Sequence, residues 1–227
     1  MTDLTSGRRS RFSTWRRQSA AQPMVDRGPM ASAGKRLIDV GGSIVGLVVL
    51  APLFVVVALA IAIADGRPVL FRQRRIGRDG QSIRIWKFRT MAHDAEDRLA
   101  ELTPRNEVLG PGFKLSDDPR LTRCGRFLRR SSIDELPQLW NVLAGDMSLV
   151  GPRPALPSEV AAYAPWQCRR LAVKPGLTGL WQVTARNDPD VDRWVRLDLA
   201  YIDGWSLRLD LAILARTVPA VLAFNGR

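Results

Sequence analysis

Residues 41–64 read GGSIVGLVVLAPLFVVVALAIAIA and contain no charged side chain. A helix of that length spans roughly 36 Å, enough to cross the hydrocarbon core of a bilayer. Helices buried in soluble proteins are rarely apolar on every side for so long. Ala62-Ile63-Ala64 resembles a signal-peptidase site. The run begins only at residue 41, however, and exceeds a normal signal core, so an uncleaved membrane element is expected. Its flanks decide how it sits. Arg8, Arg9, Arg11, Arg16, Arg17, Arg27, Lys35 and Arg36 precede it; Arg67, Arg72, Arg74, Arg75, Arg78 and Arg84 follow. Basic residues mark the cytoplasmic side, so a single crossing would put one basic flank on the wrong face. A re-entrant hairpin, entering and leaving by the cytoplasmic face, satisfies both. Pro52 stands mid-run, where a missing backbone donor breaks or kinks a helix. Spanning helices also tolerate proline, so the hairpin rests on Pro52 and the flanks together.

The cationic excess extends over the whole chain, with 34 Lys+Arg against 22 Asp+Glu and a formal net charge of +12. Such a charge favours nucleic acid, an anionic membrane surface or phosphorylated substrates. No recognition helix, RNA-binding aromatic signature or zinc motif occurs, which argues against nucleic acid. The two cysteines, Cys124 and Cys168, have no metal-ligand spacing, so a reducing compartment without a disulfide framework is expected. His93 is the only histidine and lies in RTMAHDAEDRLAEL, which reads as an acidic helix face where it is solvated.

The expected organisation has three parts: a basic disordered tail (1–34), a re-entrant membrane helix (35–66) and a cytoplasmic domain with interfacial helices (67–227). VLFRQ and SIRIWKFR alternate around an Asp79-Gly80 turn signal and predict a β-hairpin. Residues 92–102 read as a short charged helix, and LTPRNEVLGPGFKLSDDPRLT as a loop. Two short helices are predicted to meet at Ser131-Ser132, followed by a Pro/Gly loop in MSLVGPRPALP. SEVAAYAPWQCRRLAV reads as helical with a break at Pro165, and KPGLTGLWQVTARN as a turn plus a strand or extended chain. Residues 190–203 and 206–224 are predicted helices. Trp166, Trp181, Trp194 and Trp205, interleaved with arginines, suit either an interfacial surface or an ordinary core. The fold class is therefore α+β, predominantly helical, in a monotopic membrane protein.

SSIDELPQLWNV places Asp134 and Glu135 side by side ahead of a proline. Ser132 and Glu135 have capping-box spacing, so the pair reads first as a helix start. Capping from Ser132 would set Pro137 inside the helix, whereas a start nearer Asp134 leaves Pro137 among positions whose N–H is free anyway. Asp134 then lies at a helix mouth, a place that also suits phosphate chemistry. Cations surround the pair in sequence: Lys87 and Arg89 in WKFRTM, Arg129 and Arg130 just before it, and Arg153 between Pro152 and Pro154. Guanidinium forks match phosphate oxygens, and a rigid Pro-Arg-Pro turn is suited to presenting one. Acids for a nucleophile and a divalent cation, cations for a phosphate and a membrane hairpin together suggest phosphoryl-type transfer at a bilayer.

KRLIDVGGSIVGLVVLAPLF, PVLFRQRRIGRDGQSIRIWKFRTM, LRRSSIDELPQLWNVLAGDMSLVGPRP and KPGLTGLWQV resemble the bacterial sugar transferase family. These are monotopic polyprenyl-phosphate hexose-1-phosphate transferases, or phosphoglycosyl transferases, and the likeness runs from about Lys35 to about Phe224. The resemblance implies transfer of sugar-1-phosphate from a UDP-sugar to undecaprenyl or another polyprenyl phosphate. It places the enzyme at the cytoplasmic face of the bacterial inner membrane, at the start of exopolysaccharide, O-antigen, capsule or glycan assembly. By the same match, Asp134 is the nucleophile that carries a covalent phosphosugar and Glu135 its partner at Mg²⁺. Lys87, Arg89, Arg129 and Arg153 fall near the phosphates, and Pro52 breaks the membrane hairpin. Inner-membrane lipids are implied partners, and a homodimer suits a membrane-surface enzyme. The competing reading is a non-catalytic membrane scaffold for polysaccharide assembly, in which Asp134 and Glu135 merely cap a helix.

Overall fold

The computed structural model describes residues 28–110 and 112–223; the expected tail before residue 28 lies outside them. Helices α1 (Gly28–Val49) and α2 (Ala51–Ala64) form one bent pair, already helical from Gly28, ahead of the expected boundary at Lys35. Their axes turn by 59° at Leu50. Pro52 falls in the first turn of α2, where its missing N–H would be unpaired in any case. Among the described residues no single helix is long and apolar enough to cross a membrane, although the bent pair is.

Helix α1 turns its charged side chains inward, beside Ile38 and Leu47 on the main core, and keeps an apolar face outward. Lys35, Asp39 and Ser43 recur every fourth residue and turn inward. Lys35 Nζ donates to Asp210 Oδ2 at 2.8 Å and to the Val150 carbonyl at 3.0 Å. Asp39 Oδ1 accepts from Ser148 Oγ and the Leu149 N–H, each at 2.9 Å. Arg36 donates to the Val142 and Leu143 carbonyls near the end of the helix Leu139–Ala144. A Cβ at Gly42 would lie 2.7 Å from Leu149 Cδ1, so glycine sets this close approach. The opposite face leaves Leu37, Ile44, Val45, Val48 and Val49 exposed, and α2 continues it with Val55, Val56, Leu59 and Ile63. Val57 and Ile61, on the inner side of α2, are buried beside Phe88 and Leu128.

The predicted hairpin is present as β1 (Leu70–Ile76) and β2 (Ser82–Phe88), paired antiparallel from Leu70↔Phe88 to Ile76↔Ser82. Its connection contains Asp79 and Gly80, both at positive φ. The main core joins Ile85 of β2 to Leu139, Val142, Met147, Leu149 and Val150, and to Val195, Tyr201, Ile202 and Ile213 from the last two helices.

After the short helix α3 (Leu99–Leu102) come α4 (Arg123–Ser131), a 3-10 turn Ile133–Gln138 and α5 (Leu139–Ala144). Strand β3 (Ser148–Val150), α6 (Pro157–Ala161) and the 3-10 segment Pro165–Ala172 follow. β4 (Gly176–Thr178), α7 (Leu180–Thr184), α8 (Val191–Asp203) and α9 (Leu207–Leu222) complete the described chain.

Three expectations need correction. The charged helix over 92–102 is reduced to Leu99–Leu102 with turns before it, because Ala95 and Leu102 are the only buried side chains there to anchor a longer one. The loop expected over MSLVGPRPALP instead contributes β3, which pairs in parallel with β4, the strand offered by KPGLTGLWQVTARN. LWQVT then turns helical rather than staying extended. Glycines permit that pairing: a Cβ on Gly176 would lie 2.1 Å from the Gly151 nitrogen, and one on Gly179 2.5 Å from the Gly151 carbonyl oxygen. The tryptophans are chiefly structural. Trp181 and Trp194 stack at 4.7 Å, and Trp205 Nε1 donates to Asp210, whereas Trp166 is exposed.

Candidate active site

Helix α4 starts with Thr122, whose Oγ1 accepts from the Gly125 N–H at 2.8 Å, and ends in Arg129 and Arg130. Gly125 lies against the backbone just beyond β2, where a Cβ would come within 1.9 Å of the Thr90 carbonyl oxygen. That contact brings Arg129 to the end of β2: its Nε donates to Thr90 Oγ1 at 3.3 Å. Ser132 then adopts a left-handed conformation, φ 57°, and turns the chain into Ile133–Gln138. The capping box does not form. Ser132 Oγ caps no helix and instead accepts from Arg186 Nη2 at 2.6 Å. Asp134 and Glu135 occupy the first turn of the 3-10 segment, which packs along β2.

The two neighbouring carboxyls have opposite surroundings. Asp134 is buried, with 6% of its surface exposed. Glu135 keeps about a third of its side chain in solvent and receives Lys87 Nζ on Oε1 at 2.6 Å. Burial, reinforced by the charge of Glu135, raises the Asp134 pKa to about 6, with Lys87 and Arg129 opposing. Burial pushes Glu135 up as well. There the Lys87 charge and hydrogen bond, helped by Arg153 and Arg75, win and hold it well below the usual carboxylate range. One carboxyl is thereby a firm anion and the other is poised close to neutrality.

Arg153 points Nη1 at both Glu159 oxygens, 3.3 Å from each, while a third of its side chain stays exposed. Arg75 is buried beside it, and burial followed by the Arg153 charge lowers its pKa to about 9. The structure thus brings Lys87, Arg129 and Arg153 within electrostatic reach of the acidic pair. Arg89 is engaged elsewhere. Its Nη2 donates to the Asp65 and Gly66 carbonyls at 2.6 Å, and its Nη1 to the Arg67 carbonyl and towards His93 Nε2. It closes the carbonyl end of α2, a favourable place for a cation. Sequence reasoning passed over Arg75 and Arg186. Arg75 carried a readable signal, a charged residue sharing a strand face with Gln73. Arg186 carried none, because its contact with Ser132 is made 54 residues away along the chain. Arg186 also lines an open cleft of about 400 Å³ with Gln182, Asn187, Asp188 and Arg193.

No group of three or more His, Cys, Asp or Glu side chains suited to a metal exists among the described residues. Asp134 and Glu135 nonetheless offer adjacent hard oxygen donors. Mg²⁺ commonly takes one or two carboxylates, keeps several waters and completes its shell with substrate phosphates. The pair fits that ion.

The family model for bacterial sugar transferases matches residues 30–224. The chain is 46% identical over 193 residues to the galactosyl transferase CpsE of Streptococcus agalactiae, covering 85% of this chain and 43% of that protein. It is 42% identical to the undecaprenyl-phosphate galactose phosphotransferase of Salmonella typhimurium, over 85% of this chain and 41% of the relative. The exopolysaccharide production protein ExoY of Sinorhizobium fredii is 41% identical, over 87% of this chain and 89% of its own length. The chain therefore spans less than half of the first two relatives and most of the third.

Proposed function

The chain belongs to the bacterial sugar transferase family, and from that premise we propose that it transfers a hexose-1-phosphate from a UDP-sugar to undecaprenyl or another polyprenyl phosphate. The reaction would open exopolysaccharide, O-antigen, capsule or glycan assembly at the cytoplasmic face of the inner membrane. One observation carries this reading: a buried Asp134 beside an anionic Glu135, ringed by Lys87, Arg129 and Arg153.

In the first step an Asp134 carboxylate oxygen attacks the β-phosphorus of the UDP-sugar. A phosphorus–oxygen bond forms, the bond to the bridging oxygen breaks, and UMP leaves with that electron pair. In the second, an oxygen of the polyprenyl phosphate attacks the same phosphorus and the Asp134 carboxylate leaves. Neither step needs a proton, so the nucleophile must begin ionised. Covalent catalysis divides one encounter between two anions into two easier ones. Lys87, by holding Glu135 ionised, keeps a second anionic oxygen donor beside the nucleophile. Arg129 and Arg153 face the negative charge that develops as the phosphoryl group transfers. Glu135, beside Asp134, would hold Mg²⁺, whose charge would offset the repulsion between the nucleophile and the diphosphate.

Helix α1, with its apolar face outward, supports a re-entrant membrane hairpin. Its charged residues are paired inward and its exposed face is apolar through the bend into α2. Water would penalise such a surface, whereas lipid would cover it. A catalyst fixed at headgroup depth meets an acceptor whose phosphate stays there. The test is UMP release from a panel of UDP-sugars by the full chain in detergent with Mg²⁺, combined with intact-protein mass spectrometry. Donor-dependent UMP and a hexose-phosphate mass adduct that disappears in Asp134→Asn are expected. UMP release without an adduct would exclude the covalent route, and no UMP with any donor would return the chain to a scaffold.

A further inference from the structure

Four consecutive carbonyls, from Pro152 to Ala155, are each taken by a donor, one from β4, one from the 3-10 segment Pro165–Ala172 and two from β1. Pro152 accepts from the Gly176 N–H at 2.8 Å, and Arg153 from Arg170 Nη2 at 3.2 Å. Pro154 accepts from Arg75 Nη1 at 2.9 Å, and Ala155 from the Ile76 N–H at 2.8 Å. Two of these donors are main-chain amides. The other two are buried guanidiniums, and the one on Arg153 itself has an elaborate support. Arg170 Nη1 donates to the Tyr163 hydroxyl at 2.7 Å, and its Nη2 also meets Asp198 Oδ2 of α8. Arg170 and Asp198 are 6% and 1% exposed.

That pair is poorly explained as a source of stability. Buried ion pairs often do no better than apolar residues of the same volume, because desolvation offsets their attraction. Here the balance is adverse in two visible ways. Arg170 Nε and Asp198 Oδ1 are buried with no partner. Burial also raises the Asp198 pKa to about 6 even with Arg170 against it. What the pair does achieve is to aim a rigid donor at the carbonyl of Arg153. Glu159 meanwhile holds the side chain of Arg153 and, through Oε2, the Leu156 N–H at 2.7 Å.

We propose that Arg170 and Asp198 are positioning residues: Asp198 orients Arg170, and Arg170 pins the backbone of Arg153 so that its guanidinium is preset for the phosphate. The inference rests on the role given to Arg153 above. Neither residue touches substrate; both act through Arg153.

The test compares the full chain with Arg170→Met/Asp198→Leu, which removes both charges together and leaves neither one unpaired. Hydrogen–deuterium exchange of the 148–160 region should quicken in the double variant, since the Arg153 carbonyl has lost its donor. Transfer should fall on the order of 10- to 100-fold, the penalty of a small misplacement. In an Arg153→Ala background the same double change should cost less than about twofold, because its effect runs through a side chain already gone. Tyr163→Phe, which removes one acceptor from Arg170, serves as the milder variant should the double change not fold, and should show the same background dependence. Unchanged exchange overturns the inference. So does an equal loss in both backgrounds, which would make the pair general support while leaving Arg153 its role. Wild-type turnover in Arg153→Ala alone would remove Arg153 from the mechanism and the inference with it.

Discussion

Replacing the proposed nucleophile should abolish transfer and make the protein more stable. The Asp134 pKa stands at about 6 against an ordinary 3.8, because burial and the Glu135 charge disfavour the ionised form. That rise corresponds to roughly 3 kcal/mol. The proton is held more tightly in the folded protein than in the unfolded chain, so ionisation opposes folding. The penalty is absent below the unfolded value near 4, grows as pH rises and is complete above about 6. Asparagine has nearly the same shape and no charge, so Asp134→Asn removes the penalty where it exists. For a chain of this size about 2–4 °C accompanies each kcal/mol, which gives a rise in Tm of roughly 6–12 °C at pH 8. Near pH 4 the gain should shrink towards zero. The assay is thermal unfolding of both proteins in one detergent at pH 4, 6 and 8, with adduct mass spectrometry on the same samples. A variant melting at or below the wild type at pH 8, or gaining as much at pH 4, would refute the claim that this carboxylate is held ionised at a cost.

The acid limb of kcat/KM should lie near pH 6, where Asp134 takes up its proton. Lys87→Met should move it to higher pH and cut turnover about 100-fold, since Lys87 lowers both carboxyls; a pH–rate profile checks this. Gly125→Ala should give no folded protein, because its Cβ would lie 1.9 Å from the Thr90 oxygen, whereas Gly41→Ala, with nothing within 4 Å, should express and melt normally. In a background without Cys124 and Cys168, Ser32→Cys and Arg78→Cys should both be labelled by an impermeant maleimide from the cytoplasmic side; labelling from opposite sides would mean a true crossing.

Features written in local chemistry were legible before any coordinates. An uncharged run with Pro52 in its middle pointed to an interrupted helix, and the break between the bent pair falls at Leu50, ahead of that proline. The Asp79-Gly80 turn between alternating segments gave β1 and β2, and Pro165 gave the interruption before Gln167. Asp134, Glu135, Lys87, Arg129 and Arg153 could be nominated because few residue types can do phosphate chemistry, and they lay in the matching motifs.

Tertiary structure alone decided what each of those groups faces. Ser132 has the spacing of a helix cap yet adopts a left-handed turn and meets Arg186. Arg89 and Arg75 look alike in sequence, but one closes the end of α2 and the other grips Pro154. Which of two adjacent carboxyls is poised near neutrality depends on burial and on a lysine 48 residues away. The reason is one of range: turn and helix preferences are settled within a few residues, whereas the partner of a long charged side chain is chosen by whatever the fold brings within 4 Å or so.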